Sequence, residues 1–281
     1  MSGSGDQAAF GADALAALTG AYPARPVRLR HGLAGHALFS LDRLARLADA
    51  LPTRQVEWNR GDLPVGVRPE DVPRNGLTPG DTVRGIETNG SWMVLKNVEA
   101  DPDYAALLTD ALDALAPVVH PATGTMADAE GFVFLSSPRS VTPFHMDPEH
   151  NVLCQLRGTK TMRIYPHGGI VPPEADEAFH AGGHRNLAHE DAFEARAEAF
   201  ELRVGDAVHV PHTAPHWVEN GDGVSVSFSV TWRSEASARI GDLHRMNGWL
   251  RARGLSPRPP GGPMDAPKRL AFRALRRLRV A

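Results

Sequence analysis

Residues 131–166 read GFVFLSSPRSVTPFHMDPEHNVLCQLRGTKTMRIYP, and this stretch decides the fold class. Its short β-type runs, GFVFLSS, NVLCQLRG and TMRIYP, are separated by turn-forming Gly, Pro, Asp and Asn residues. Two further runs follow downstream, FELRVGDAVHVP from residue 200 and GVSVSFSVTW from residue 223. Several short strands with turns between them predict a mainly β fold, a sandwich or barrel.

Helices are predicted on both sides of this β-rich region. Leucines at helical spacing predict a helix over Leu41–Leu51, and WMVLKNV at 92–98 is typical of a strand. Asp101-Pro102 is a favourable helix start, since aspartate caps and proline suits the first turn, and the leucine pattern continues to Pro117. We therefore expect residues 1–233 to form one domain with N-terminal wrapping helices and strands.

The C-terminal residues 234–281 are expected to form a helical extension. One helix is predicted from Ser234 toward Arg253, and after the proline-glycine break SPRPPGGP a second is predicted over Ala266–Val280. The second helix has one apolar stripe and many arginines elsewhere, which favours packing on the core or on a second copy over contact with nucleic acid or membrane. The expectation of a homodimer through these helices comes from the family resemblance given below, not from the helix pattern.

Composition narrows the class of protein. The chain has 281 residues, 42% of them hydrophobic, and a formal charge of −3, so no overall field favours nucleic acid or an anionic membrane. No apolar stretch reaches the roughly 18 to 20 residues of a membrane span, and the single cysteine, Cys154, cannot form an internal disulfide. These features predict a soluble, cytoplasmic protein.

Two histidines and an aspartate are the candidate metal ligands. In TPFHMD at 142–147, His145 and Asp147 would share one face of a strand, because alternate residues of a strand do. His216 follows in PHTAPHW at 211–217. Two imidazoles and one carboxylate form the set that holds non-haem Fe(II) and leaves positions open for oxygen chemistry. A His-x-Asp pair alone is common by chance, so the residues around it must show whether it belongs to a metal site.

Those surroundings resemble the JmjC-type cupin dioxygenases, in particular the cupin-like branch that includes the asparaginyl hydroxylase acting on hypoxia-inducible factor. The matching pattern is T-x-x-H-x-D-x-x-x-N, then Q-x-x-G-x-K, then an aromatic residue and proline, then G-D-x-x-x-x-P and the distal histidine. In this chain the pattern falls on Thr142, His145, Asp147, Asn151, Gln155, Gly158, Lys160, Tyr165, Pro166, Gly205, Asp206, Pro211 and His216.

The resemblance implies a double-stranded β-helix with Fe(II) held by His145, Asp147 and His216, and 2-oxoglutarate as cosubstrate. It implies that Lys160 pairs with the distal carboxylate of 2-oxoglutarate and that Thr142 donates a hydroxyl to the same group. An unpaired buried dianion would be strongly disfavoured, so a cation and donors are required there. The rival oxygenase branch uses an arginine after the distal histidine, and VSVSFSV at 224–230 has none. Lys160 could instead be a solvated residue at a strand edge.

Two further positions concern the cosubstrate pocket. By the same resemblance, Asn151 lies near the metal-bound end of the cosubstrate, and Ser229 stands where relatives often carry an asparagine. Ala214-Pro215 replaces a bulky aromatic pair that often precedes the distal histidine. These departures weaken any analogy about the substrate.

The other histidines are weaker candidates. His209 is expected to face away from the pocket and His212 could line it. The long insert between Pro166 and Ala199 is a candidate lid. Its His180, His184 and His189 are expected to be solvated, although a second metal is the alternative.

The sequence thus predicts an Fe(II)- and 2-oxoglutarate-dependent dioxygenase that hydroxylates a protein or peptide side chain or a small metabolite. One alternative is a non-enzymatic cupin-type ligand sensor or regulator. Another is a metal-dependent cupin dioxygenase that does not use 2-oxoglutarate. The absence of a helix-turn-helix pattern argues against a nucleic-acid partner.

Overall fold

The computed structural model describes residues 8–62, 64–66 and 71–278, and its core consists of two antiparallel β-sheets. The strands are β1 (Val27–Arg30), β2 (Val56–Arg60), β3 (Ser91–Lys96), β4 (Met126–Ser136), β5 (Val141–His145), β6 (His150–Arg157), β7 (Lys160–Ile164), β8 (Glu198–Leu202), β9 (Asp206–Val210), β10 (His216–Asn220) and β11 (Ser225–Ser234). The larger sheet has the order β1-β9-β6-β11-β4-β3-β2 and the smaller one β5-β10-β7-β8.

Strand β11 shows how the sequence builds two cores. Its Val226, Phe228, Val230 and Trp232 are buried in the large core that the N-terminal helices cover. The alternate residues are small and polar, namely Ser225, Ser227, Ser229 and Thr231, and they are buried too. Because alternate residues of a strand face opposite sides, the polar row lies between the two sheets.

The space between the sheets is closed by a second, smaller apolar core. The large sheet contributes Leu153, Val208 and Val210, and the small sheet contributes Met162, Ile164, Phe200, Leu202 and Val218. Two antiparallel sheets that enclose a core in this way form the predicted cupin-type jelly roll, so the fold prediction is confirmed.

The helices surround this core. They are α1 (Ala12–Thr19), α2 (Leu41–Ala50), α3 (Pro79–Arg84), α4 (Pro102–Thr123), α5 (Pro173–His180), α6 (Glu235–Arg251) and α7 (Asp265–Arg277). Asp101 caps α4 as predicted, its side chain accepting the backbone N–H of Asp103. The prediction that this helix ends at Pro117 is wrong. Proline removes one backbone hydrogen bond, but the burial of Leu115 and Val119 in the large core offsets that loss.

The β-type run at 200–211 forms two strands, β8 and β9, rather than one. The turn between them contains Gly205 at φ +88°, a conformation that favours glycine. The Asp206 carboxylate accepts the backbone N–H of Arg203 and pairs with Arg28 and Arg30. This turn brings β9 back along β6 in the large sheet.

The insert is more ordered than a loop. It holds α5 and a short 3-10 helix at Asp191–Arg196. The prediction of solvated histidines is wrong for His180, which is buried where α5 packs against α6, and for His189, which is half-buried beside Glu194. His184 is exposed.

The C-terminal extension begins where β11 ends. Ser234 caps α6 in a reciprocal capping box with Ser237. The predicted last helix corresponds to α7, and its predicted end at Val280 lies outside the described residues. Within the described part of the chain, no helix combines the length and apolar character needed to cross a membrane.

Candidate metal centre and cosubstrate pocket

His145 and His216 are brought together by strand pairing. In the antiparallel pair of β5 and β10 their Cα atoms are direct partners, and the centroids of their rings lie 4.2 Å apart. Directly opposite residues share one face of a sheet. Both side chains are buried, so the pairing fixes two imidazoles side by side inside the fold.

Backbone carbonyls set the tautomer of both rings. The Nδ1–H of His145 donates to the carbonyl oxygen of Pro143 at 2.7 Å, and that of His216 donates to Ala214 at 2.9 Å. A carbonyl can only accept, so the proton lies on Nδ1 and each Nε2 keeps its lone pair. This arrangement is typical of metal-binding histidines.

Asp147 completes the group from a loop. Its Oδ2 lies 3.6 Å from Nε2 of His145 and 3.5 Å from Nε2 of His216. The three ligand atoms lie within 4.8 Å of one another. The prediction that His145 and Asp147 share a strand is wrong, because β5 ends at His145. The backbone carbonyl of Asp147 instead accepts the N–H of Thr213 at 3.1 Å, which ties its loop to the turn before His216.

The charges at this site suit a divalent cation. Burial alone would raise the pKa of Asp147, but His145, Arg185 and His216 outweigh it and hold that pKa well below its usual range. Burial, followed by repulsion from His145, lowers the pKa of His216 to about 4. At neutral pH the site thus offers a carboxylate and a neutral His216 ring. Two nitrogens and one oxygen are the donor set that fits Fe(II) with open positions.

Arg185 of the insert reaches this centre, and sequence reasoning did not identify it. Its guanidinium donates to Oδ1 of Asp147 at 3.1 Å, and its carbonyl accepts the N–H of Met146. Leu187 N–H donates to Phe144 O beside it. The insert therefore lies along the end of β5, as the lid prediction requires, although no sequence motif marks Arg185.

Lys160 is buried on the inner face of the small sheet. It begins β7, an interior strand between β10 and β8, so the strand-edge interpretation is wrong. It shares its face with Met162 and Ile164 of the small core and is only 5% exposed. Burial lowers the pKa of Lys160 to about 7. Among the described residues, none forms a hydrogen bond or ion pair with its ammonium group.

Other polar atoms on the inner faces also have no partner among the described residues. Asn151 Oδ1, Ser229 Oγ and Asn220 Oδ1 are buried and accept no hydrogen bond from a described residue. Asn220 is the Cα partner of Lys160 on β10, and two residues before it Val218 is the partner of Thr142 on β5. Such groups are costly to bury unsatisfied. The alternation from His216 through Val218 to Asn220 could have identified Asn220.

The remaining histidines lie elsewhere. His209 faces the N-terminal segment, as predicted, with Nδ1 against the carbonyl of Arg25 at 3.1 Å. His212 lines a separate cavity on the outer side of the turn before His216.

Comparison with known proteins agrees with this architecture. Residues 115–240 match the family model described as the JmjC domain. The X-ray structure of Escherichia coli ycfD has 18% identity and a TM-score of 0.50, covering 89% of this chain and 63% of that one. A structure of YcfD, a ribosomal oxygenase from Escherichia coli, in complex with cobalt and 2-oxoglutarate, has 18% identity, a TM-score of 0.46 and coverage of 89% and 62%.

At this identity the first of these structures establishes a shared fold, and the chain spans 63% of its length. No curated protein matches the chain in sequence. The residues that match the family model include β5, β6, β7 and β10, which carry or flank the His145, Asp147 and His216 group. Residues 115–240 are therefore similar to the JmjC domain, and the core of the chain is a cupin-type jelly roll.

Proposed function

We propose that this chain is an Fe(II)- and 2-oxoglutarate-dependent dioxygenase that acts as a hydroxylase. The observation that carries the proposal is the combination of two features. One is the group of His145 Nε2, Asp147 Oδ2 and His216 Nε2. The other is a buried lysine on the inner face of the same sheet, which pairs with no carboxylate among the described residues. A metal site alone has many uses, but a buried lysine on the inner face of the same sheet favours an anionic ligand.

The residues divide into a metal set and a cosubstrate set. Iron would be held by His145, Asp147 and His216, which supply three ligands and leave positions open. When bound, iron and 2-oxoglutarate supply the oxidation: O2 converts 2-oxoglutarate to succinate and CO2 and places a hydroxyl on a substrate C–H.

Lys160 would hold the distal carboxylate of 2-oxoglutarate. Burial lowers the pKa of the Lys160 side chain to about 7. Entry of a dianion would favour the protonated ammonium, because the opposite charge stabilises the charged form. Thr142 would donate its hydroxyl to the same carboxylate. Asn151 would lie near the metal-bound end of the cosubstrate. Ser229 would donate its hydroxyl to the cosubstrate, which would satisfy an Oγ that lacks a partner among the described residues.

The protein itself positions these groups and excludes water. The carbonyls of Pro143 and Ala214 keep the Nδ1 protons in place, so both Nε2 atoms stay available to metal. The apolar side chains of the small core surround the inner faces and lower the local dielectric. Electrostatic contacts with a bound anion are stronger there than in water.

We further propose a side chain of a protein or peptide as the substrate, in preference to a small metabolite. The Arg185 side chain that contacts Asp147 is 47% exposed, and Asp147 itself is 21% exposed. The metal centre therefore opens to solvent beside the insert, where a segment of another chain could reach it. Small-molecule sites usually enclose most of their ligand.

Binding of 2-oxoglutarate to the Co2+-loaded chain tests this assignment and separates it from the alternatives. We expect calorimetry to show metal-dependent binding that Lys160→Ala abolishes, while His120→Ala, an exposed control on α4, leaves it unchanged. A cupin dioxygenase of another type would bind the metal but not 2-oxoglutarate. A sensor would bind 2-oxoglutarate without turning it over.

A further inference from the structure

A second group of potential metal ligands lies where the insert meets the C-terminal extension. Asp176 and His180 are one helical turn apart on α5, so they share one face. His244 faces them from α6. The exposed fractions are 4%, 8% and 8%, and the three ligand atoms lie within 4.8 Å of one another.

The two imidazoles do not satisfy each other. The rings of His180 and His244 are stacked, with centroids 4.8 Å apart and planes at 15°. Stacked rings cannot join their nitrogens by a hydrogen bond. Nε2 of His180 is buried and has no hydrogen-bond partner among the described residues. A buried nitrogen of this kind needs a partner that the described residues do not supply.

Asp176 is oriented as a metal-binding carboxylate would be. Its Oδ1 lies 2.8 Å from Nε2 of His167, and its Oδ2 forms no hydrogen bond with a described residue.

The contact between α5 and α6 does not need these histidines. Arg251 of α6 forms two hydrogen bonds with the buried carboxylate of Glu177, at 2.7 and 3.0 Å. Arg245 donates to the backbone carbonyl of His180 at 2.7 Å. Since these contacts already join the helices, the two buried imidazoles beside them would only add a desolvation cost unless they bind something.

A cavity gives access to the group. It has a volume of about 580 Å³, and Asp176, His244, His167 and His212 line it. An ion could enter from this side, and a water molecule could occupy a fourth position.

We propose that Asp176, His180 and His244 bind a divalent transition-metal ion of the Zn2+ class, separate from the ion at His145, Asp147 and His216. Two imidazole nitrogens and one carboxylate oxygen form a usual zinc set, with water as the fourth ligand. This ion joins the insert to the C-terminal extension, and its ligands come from both elements. It also lies beside the turn that positions His216, because the His212 ring is 6.1 Å from that of His180. The sequence of the insert by itself could not predict this group of ligands, because His244 lies more than sixty residues after His180.

Co2+ binding tests the proposal in a background without the first site. In the His145→Ala/Asp147→Ala variant we expect one Co2+ per chain, measured by metal analysis after gel filtration, with visible absorption typical of four-coordinate Co2+. Adding His244→Asn or Asp176→Asn should remove both the ion and the absorption. His212→Asn is the matched control, since it changes a buried histidine of the same cavity, and it should retain the ion.

The proposal is overturned if the folded background variant binds no Co2+, or if His244→Asn leaves the stoichiometry unchanged. Circular dichroism establishes whether each variant is folded. The parent chain should bind two Co2+ ions. Saturation of the parent at one ion that the His145→Ala/Asp147→Ala variant no longer binds would contradict the second site, whereas one ion bound by both proteins would contradict only the first site.

Discussion

Replacement of Lys160 by methionine should make the protein without ligands more stable. Lys160 is 5% exposed, and burial lowers its pKa from 10.5 to about 7. At about 1.4 kcal/mol per pKa unit, keeping the charged form in the fold costs up to roughly 5 kcal/mol. Methionine has a similar length and no charge, so it removes this cost while filling the same space. We expect Lys160→Met to raise the free energy of unfolding by about 2 to 5 kcal/mol near pH 6, allowing for partial relaxation around the charge.

The gain in stability of Lys160→Met over the parent should shrink as the pH rises. The pKa of Lys160 is lower in the folded chain than in the unfolded one, so between about pH 7 and pH 10 the unfolded chain binds more protons. The stability of the parent therefore rises across this range as the buried lysine becomes neutral. The cost of burying the charged lysine is fully present below about pH 7. The stability advantage of Lys160→Met is therefore largest there and shrinks toward pH 10.

Urea unfolding of both proteins at about pH 6 and about pH 9.5 measures this difference, and other titrating groups cancel between them. Lys96→Met is the control, because Lys96 pairs with Glu57 and is partly exposed, so its loss should cost under about 1 kcal/mol at either pH. Two results would contradict a destabilising buried charge at Lys160. One is a Lys160→Met protein that is less stable than the parent, and the other is a difference in stability between the two proteins that does not change with pH. The same variant should lose the stabilisation that Co2+ and 2-oxoglutarate together give the parent.

Three further changes probe other parts of the molecule. Phe228→Ala should lower the free energy of unfolding by about 3 to 5 kcal/mol, because it opens a cavity in the fully buried large core, and chemical denaturation measures it. Arg185→Ala should change overall stability by less than about 1 kcal/mol, since the side chain is half exposed, yet chymotrypsin should cleave the insert sooner once its contact with Asp147 is lost. A chain truncated before Ser256 should sediment as a monomer if α7 forms the predicted dimer, and unchanged sedimentation of a dimer would refute that prediction.

The short β-type runs with turns between them predicted the mainly β core of the fold. The alternation of serines and apolar residues in β11, which separates its inner from its outer face, could have predicted the two cores as well. The geometry that brings His145 opposite His216 also agrees with the prediction that these residues meet.

What the sequence could not predict depends on contacts between distant segments. Asp147 meets the two histidines from a loop held by Thr213 rather than from a strand. Helix α4 passes Pro117 because core burial outweighs the local preference against proline. Arg185 and His244 reach their sites only through the packing of the insert on β5 and on α6. No local pattern records such contacts.

Succinate formation is the direct test of the proposed Fe(II)- and 2-oxoglutarate-dependent activity. The chain is loaded anaerobically with Fe(II) and 2-oxoglutarate, exposed to O2, and succinate is measured by mass spectrometry. We expect the parent to release succinate, His145→Ala and Asp147→Ala to release none above the metal-free background, and His120→Ala to match the parent. If the two metal-site variants convert 2-oxoglutarate as fast as the parent, the proposed iron site is contradicted.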